Sequence, residues 1–156
     1  MSIAVLDIDG VVADVRHRLH HLQRRPKDWA EFFAAAGEDT VLAEGAVLAA
    51  KLAGEHDIVW LTGRPEFLRR ITVNWLATAG LPAGDLVMRP ERDRRPAAEF
   101  KLHALRALGS RGIAAVLDDD PEVIRAAGAA GLPAVLADWV PRGHELREAQ
   151  DRLGRT

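Results

Sequence analysis

Five short apolar runs punctuate the chain: Ile3 to Asp7, Asp57 to Leu61, Asp85 to Met88, Ala114 to Leu117 and Pro133 to Ala137. Each is too short for a helix, and the first, bounded by Gly10, reads as a buried strand. Between the runs, Glu44 to Ala53, Glu66 to Ala79, Ala97 to Leu108 and Pro121 to Ala130 carry apolar residues at three- and four-residue spacing, the mark of an amphipathic helix. Strands alternating with helices predict right-handed βαβ units in an α/β fold, a Rossmann-like, doubly wound parallel sheet of five strands. A length of 156 residues fits one domain over residues 1–156.

Two stretches depart from the alternation. After the first strand, Val11 to Leu22 is followed by Arg24-Arg25-Pro26-Lys27 and a predicted helix from Asp28 to Ala36 that contains Trp29, Phe32 and Phe33. Residues 13–40 therefore form a small helical insertion over the exit of the first strand. At the other end, Pro141 to Thr156 predicts a polar amphipathic helix packed on the outside, with a frayed tail.

In a sheet of this kind, ligands bind outside the carboxyl ends of the strands. The first strand ends in Asp7-Ile8-Asp9-Gly10, the second in Thr62-Gly63-Arg64-Pro65 and the fourth in Asp118-Asp119-Asp120-Pro121. Burying paired carboxylates costs several kcal/mol (of order 2–7 for even an uncharged polar group), so a cation or a shifted pKa is implied. Carboxylates from two strand ends can converge on one hard divalent cation, and Mg²⁺ typically keeps waters and adds a substrate phosphate. With such a cation, Asp7 can serve as nucleophile and Asp9 as proton carrier. Thr62 supplies a hydroxyl, Gly63 opens backbone N–H groups to a phosphoryl oxygen, and Lys101 offers a cation near the start of a helix. Asp120 precedes Pro121 and reads as a helix N-cap, outside the site.

Composition narrows the partners. A net charge of -2 argues against a general nucleic-acid coat, although five cations and no acid occupy the twelve positions from Arg16 to Lys27. With Trp29 close behind, that run can hold a phosphodiester backbone and stack a base, or can simply be a solvated face. There is no cysteine, so no disulfide framework and no thiolate metal site. His17, His20 and His21 raise a histidine-bound metal as an alternative, but an oxygen-rich site already accounts for the chemistry. No apolar segment approaches the roughly 20 residues needed to span a bilayer, and the expectation is a cytoplasmic protein with no membrane association.

Asp7-x-Asp9-Gly10, the hydrophobic run into Thr62-Gly63-Arg64, Lys101 and the hydrophobic run into Asp118-Asp119 resemble, in order and spacing, the four motifs of the haloacid-dehalogenase-like superfamily. The resemblance implies a core with strand order 5-4-1-2-3 and a phosphoric monoester hydrolase. In it, Asp7 is the nucleophile, Asp9 the general acid and base, and Thr62 and Lys101 the phosphoryl binders. It also implies Mg²⁺ held by Asp7, the carbonyl of Asp9 and Asp118, with Asp119 assisting. An aspartate at both positions of the first motif favours phosphatases over dehalogenases.

Within that superfamily, Thr62-Gly63-Arg64, the stretch Leu86 to Arg89 followed by Asp93-x-Arg95, and Lys101 resemble the 3′-phosphatase domain of phage-type polynucleotide kinases. Arg16 to His20 and Asp28 to Phe33 are similar to stretches of its stand-alone relatives. No Gly-x-x-x-x-Gly-Lys-Ser/Thr loop occurs, so a kinase half is not expected. Gly10, Gly63, Arg64, Arg16 and Arg18 are the candidate substrate contacts. Arg64 alternatively forms a salt bridge, and Arg89, Asp93 and Arg95 are read as an ion-pair network shaping the loop before Lys101. The segment between Pro65 and Phe100 has no room for a large cap, so an open site and a large substrate, a nucleic-acid 3′-end or a nucleotide, are expected. Two alternatives stand beside it: a small-metabolite phosphatase or nucleotidase capped by oligomer contacts, and an inactive binding module.

Overall fold

The protein is described by a computed structural model over residues 1–156. In chain order its strands are β1 (Ile3–Leu6), β2 (Ala13–Asp14), β3 (Thr40–Val41), β4 (Asp57–Pro65), β5 (Gly84–Arg89), β6 (Ile113–Asp118) and β7 (Ala134–Leu136). Its helices are α1 (Trp29–Ala34), α2 (Ala43–Ala53), α3 (Arg69–Thr78), α4 (Ala97–Leu108), α5 (Pro121–Ala129) and α6 (His144–Arg147).

Five strands form one parallel sheet in the order β5-β4-β1-β6-β7. Counting only these five, the order is the expected 5-4-1-2-3. β1 lies in the middle with all four residues buried, because helices cover both faces of the sheet. Its side chains alternate between two cores. Ala4 and Leu6 join Ile8, Trp60, Trp75, Leu76 and Leu117 on one face, and Ile3 and Val5 join Val59, Leu61, Phe100, Leu105 and Val116 on the other. Trp60 and Trp75 are thus core residues.

The insertion leaves and rejoins the core through the antiparallel pair β2–β3, with Ala13 opposite Val41 and Asp14 opposite Thr40. Two-residue strands are too short to show alternation, which is why the sequence pattern does not reveal them. Inside the insertion, Asp28 caps α1 by accepting from the Glu31 N–H at 3.0 Å, and Phe32 and Phe33 are buried with Leu22, Leu68, Met88 and Ala149.

Two boundaries differ from the pattern. β4 continues past Leu61 to Pro65, where it pairs with Arg89 of β5 after a register shift, so Thr62, Gly63 and Arg64 lie in the strand. The stretch Pro141 to Thr156 is not a peripheral helix with a frayed tail. It makes only the short α6 and a wide π-type turn over Glu148–Arg152, then bends at Gly154 (φ +58°) and buries Thr156. Polar composition suggested solvent, but the polar groups are paired inward, Arg142 donating to Gln150 at 2.6 Å and to Asp151 at 3.1 Å. No helix is long and apolar enough to cross a membrane.

Candidate active site

The three acidic or polar strand ends meet at the carboxyl edge of the sheet. Asp7 is still tied to the sheet by its N–H, which donates to the Leu117 carbonyl at 2.9 Å, and its side chain is 2% exposed. Asp118 ends the adjacent β6. Lys101, from the second turn of α4, reaches between them with Nζ 2.6 Å from Asp118 Oδ2 and 3.0 Å from Asp7 Oδ2. The other oxygen of Asp118 accepts the Asp120 N–H at 2.9 Å. Asp120 itself caps α5, accepting from the Glu122 N–H at 2.9 Å, as its place before Pro121 predicts.

Gly10 closes the turn after β1 at φ +77°, a conformation that favours glycine. A Cβ there would collide with the Asp119 carboxylate, so the glycine also lets the two strand ends approach. One oxygen from each of Asp7, Asp118 and Asp119 falls within 4.8 Å of the others. Both carboxylate oxygens of Asp119 are buried without a hydrogen-bond donor, and Oδ2 of Asp7 has only the Lys101 ammonium. Buried carboxylates left this way are costly, and the charge state responds. Burial, and then the Asp118 carboxylate, push Asp7 up to about 7 despite Lys101. Burial, and then Asp7 and Asp118, raise Asp119 well above the usual carboxylate range. Burial alone would lower the Lys101 ammonium, but Asp118 and Asp7 outweigh it and hold the group charged. One ammonium facing three carboxylates is a donor set suited to an added hard cation such as Mg²⁺.

Asp9 has different surroundings. Its Oδ1 accepts from Arg64 Nε at 3.0 Å, Arg64 Nη2 at 2.7 Å and Arg18 Nη2 at 3.4 Å. Burial would raise its pKa, but Arg64 and Arg18 more than reverse this, and Asp9 is held below the ordinary carboxylate value. Both arginines are buried, and both continue to Asp39, which accepts from Arg18 Nε at 2.8 Å, Arg18 Nη2 at 3.0 Å and Arg64 Nη2 at 2.9 Å. His17 Nε2 lies 2.6 Å from the same carboxylate, and Arg64 Nη1 donates to Thr72 Oγ1 at 3.2 Å. Of the two readings left open for Arg64, the geometry is that of the ion pair.

The sequence reading missed Asp39. A single acid in a loop carries no pattern, although two arginines in a buried site require a counter-charge.

Thr62 and Gly63 lie near the carboxyl end of β4, the strand next to β1. The Thr62 hydroxyl oxygen accepts the Arg64 N–H at 3.1 Å, which leaves its own proton free to donate. Arg89, fully buried over the Phe100 ring at 4.9 Å, donates to the Gly63 carbonyl at 3.1 Å and the Arg95 carbonyl at 2.8 Å. Asp93 lies 2.6 Å from Arg95 and 3.6 Å from Arg89, the ion-pair network expected before Lys101. Arg16 is at the rim with its side chain 60% exposed and its guanidinium clamped by Asp14 at 2.6 Å. With Gly10, Asp119 and Arg142 it lines a cavity of about 10 Å³, room for a single water-sized group. The rings of His20 and His21 lie 4.0 Å apart, tilted by 38°, and the only His, Asp and Glu cluster with metal-ligand spacing contains no histidine.

The site is not open. None of the molecule's cavities is lined by Asp7, Thr62 or Lys101. The expected open mouth is covered by the chain's own Pro141 to Thr156 stretch, whose Thr156 is 3% exposed with Oγ1 3.4 Å from Asp9 Oδ2.

The family described as "Polynucleotide kinase PNKP phosphatase domain" matches residues 1–138, which include all of these groups except the covering stretch. The chain belongs to this family. Membership makes it a phosphatase of the haloacid-dehalogenase-like superfamily, a hydrolase. No curated protein sequence matches it.

Among solved structures, the PNKP-type domain is similar to a chain of the Pnkp1/Rnl/Hen1 complex, with a TM-score of 0.71 at 19% identity over 86% of this chain. A chain in the Pnkp1/Rnl/Hen1 RNA repair complex gives the same TM-score at 20% identity. The match spans 45% and 42% of those two chains, so less than half of each. A HAD family enzyme from Bacteroides thetaiotaomicron, in complex with magnesium and inorganic phosphate, is similar at a TM-score of 0.55 and 11% identity, over 94% of this chain and 98% of that one. At these identities the likeness is one of fold.

Proposed function

We propose that this phosphatase is a Mg²⁺-dependent phosphomonoesterase that carries the phosphoryl group on Asp7 and acts on a polynucleotide 3′-phosphate. The observation behind the reading is the placement of Asp7 between Lys101 and the unsatisfied oxygens of Asp119, with Asp118 alongside. Asp7, Asp118 and the Asp9 carbonyl would hold the cation, with Asp119 steadying it. When bound, Mg²⁺ would screen these carboxylates from an incoming phosphate dianion.

The Asp7 carboxylate attacks phosphorus while the bond from phosphorus to the leaving oxygen breaks, and the leaving oxygen takes the proton that Asp9 carries at this step, giving a phosphoaspartate, an ionised Asp9 and a free hydroxyl-bearing product. The Lys101 ammonium and Thr62 hydroxyl donate to the non-bridging oxygens, where charge is held in the transition state. A water then attacks the same phosphorus and loses its proton to Asp9. Orthophosphate leaves and Asp7 is regenerated. The two arginines on Asp9 keep it ionised, which suits the deprotonating half of the cycle. Arg18 and Arg64 then serve the reaction through Asp9, because their donors are engaged by Asp9 and Asp39.

The polynucleotide substrate is supported by family membership and by the neighbours named as Pnkp1 in an RNA repair complex. A second reading, hydrolysis of small phosphomonoesters, is favoured by one observation, the covering of the site by the chain itself.

Phosphate release from a 3′-phosphorylated oligonucleotide, from mononucleotides and from p-nitrophenyl phosphate, with Mg²⁺ present, tests both. Preference for the oligonucleotide supports the first reading, and equal use of mononucleotides moves the assignment to the second. An Asp7→Asn protein as active as the parent sinks the mechanism.

A further inference from the structure

Gly63 is the position whose missing side chain would admit a phosphoryl oxygen to the end of β4, yet that space is filled. A Cβ built on Gly63 collides with the backbone of Thr156, and the Thr156 carbonyl accepts from Arg89 Nη2 at 3.4 Å. The Thr156 hydroxyl meanwhile faces Asp9 Oδ2 at 3.4 Å, on the oxygen that the arginines leave free. One residue of the chain therefore touches the proton carrier, the glycine gap and a buried guanidinium, where a substrate would make its contacts.

The stretch that delivers Thr156 is narrow and lightly held. Upstream, Ala149 is packed in the apolar cluster under the insertion, and Arg142 binds Gln150 and Asp151, so the chain is anchored as far as the π-type turn. Beyond it, the Leu153 N–H donates to Glu148 and the Arg155 N–H to Ala149, both at 2.9 Å. Gly154 then turns at φ +58° against the carbonyls of Arg94 and Arg95. The Arg155 guanidinium lies on the Trp29 ring at 4.6 Å, where burial and the like charge of Arg94 oppose it. Both Thr156 side-chain and carbonyl contacts are at the long end of hydrogen-bond distance.

We propose that residues Leu153 to Thr156 are a self-inhibitory strap, docked in the substrate's place over Asp9 and Gly63 and hinged at Gly154, which must lift before a phosphomonoester reaches Asp7. The proposal rests on the phosphatase reading of the site, since it assigns the strap the place of that substrate. It accounts for a phosphatase site in which the nucleophile lines no cavity. A docked strap lowers the fraction of competent protein and so raises the apparent KM for any phosphomonoester.

Two variants lift the strap without touching the catalytic groups. Gly154→Ala adds a Cβ that collides with the Arg94 carbonyl in a backbone conformation alanine avoids, and Arg155→Ala removes the cation from Trp29. With p-nitrophenyl phosphate and Mg²⁺, both are expected to raise kcat/KM, by roughly tenfold if the strap is docked about 90% of the time, through KM rather than kcat. Unchanged or lower kcat/KM in both, at an unchanged melting temperature, overturns the proposal.

A second measurement separates the strap from the reading beneath it. Tryptic cleavage after Arg152 in the unmodified protein, followed by mass spectrometry, is expected to quicken when orthophosphate and Mg²⁺ are added together. If no protein releases phosphate from any ester, the phosphatase reading fails. The cleavage rate still decides the strap: acceleration by orthophosphate supports it, and an unchanged rate overturns it.

Discussion

Asp9 and Asp39 share a guanidinium nitrogen of each of two arginines. Arg64 Nη2 lies 2.7 Å from Asp9 Oδ1 and 2.9 Å from Asp39 Oδ2, and Arg18 makes the same bridge from the other side at 3.4 and 3.0 Å. Two acids and two arginines, all buried, balance as a closed square. The square ties a strand-end carboxylate to the return of the insertion, 30 residues further along the chain (39 − 9).

Removing Asp39 breaks that balance and leaves two buried cations on Asp9 alone. Breaking a buried ion pair on one side typically costs about 3–5 kcal/mol, so Asp39→Ala is expected to lower the melting temperature markedly. Asp39→Asn keeps the shape and two acceptor lone pairs, and is expected to fold while losing on the order of 10-fold in kcat with KM little changed. Thermal melts and steady-state kinetics on both variants check this. Full kcat in Asp39→Asn would remove Asp39 from any role beyond packing.

Lys101 is the only cation in contact with both Asp7 and Asp118. Lys101→Met keeps the length of the stem but withdraws the charge, leaving three carboxylates mutually repelling and a phosphoryl oxygen without its donor. A fall in kcat of about 10²–10³ is expected, the usual cost of one positioned donor to transition-state charge. Metal-dependent stabilisation in melting experiments is expected to survive, because the acidic oxygens remain. Loss of both together would place Lys101 in assembling the acidic cluster instead of in catalysis.

How much of this was legible in the sequence differs by length scale. Core strands announce themselves because burial on both faces demands apolar runs, and the turn at Gly10 and the cap at Asp120 follow from local backbone chemistry. Asp7, Asp9, Thr62, Asp118 and Asp119 are legible because strand ends place them, and Lys101 because it stands near the start of a helix, from which it reaches Asp7 and Asp118. Asp39 and Thr156 are not. Each reaches the site through a long-range contact, Asp39 by charge balance with Arg18 and Arg64, Thr156 by a turn at Gly154 that no periodicity encodes. Arg18 looked like part of an exposed basic run and is buried for the same reason.

The acidic cluster predicts how cation and pH act together on stability. In the metal-free protein Asp7 is raised from 3.8 to about 7, so the folded state holds its proton more tightly than the unfolded chain does. That contribution is fully present below about 3.8 and is lost as pH rises through about 7. Asp119, raised for the same causes, acts in the same direction. Mg²⁺ binds the ionised carboxylates, so its stabilising effect grows as those protons leave. Melting temperatures with and without Mg²⁺ are expected to differ little at pH 5 and clearly at pH 8. A Mg²⁺ increment that is equal at both pH values would mean the cation does not bind at Asp7.

Asp9 offers the sharpest division between the two chemical steps. Because Arg64 and Arg18 hold it ionised, its proton-accepting role belongs to the attack of water on the phosphorylated Asp7. The first step with p-nitrophenyl phosphate needs no proton on its leaving group, since nitrophenolate departs as an anion. Asp9→Asn removes the base but keeps an oxygen to accept from Arg64. Rapid mixing of this variant with p-nitrophenyl phosphate is expected to give a burst of nitrophenolate close to one per active site. Turnover after the burst should be slower than the parent by about 10²–10⁴, the usual contribution of a positioned base. Acid-quenched protein should carry phosphate on Asp7. If the burst is lost along with turnover, Asp9 acts already in the first step, and the arginines must release their hold on it when substrate arrives.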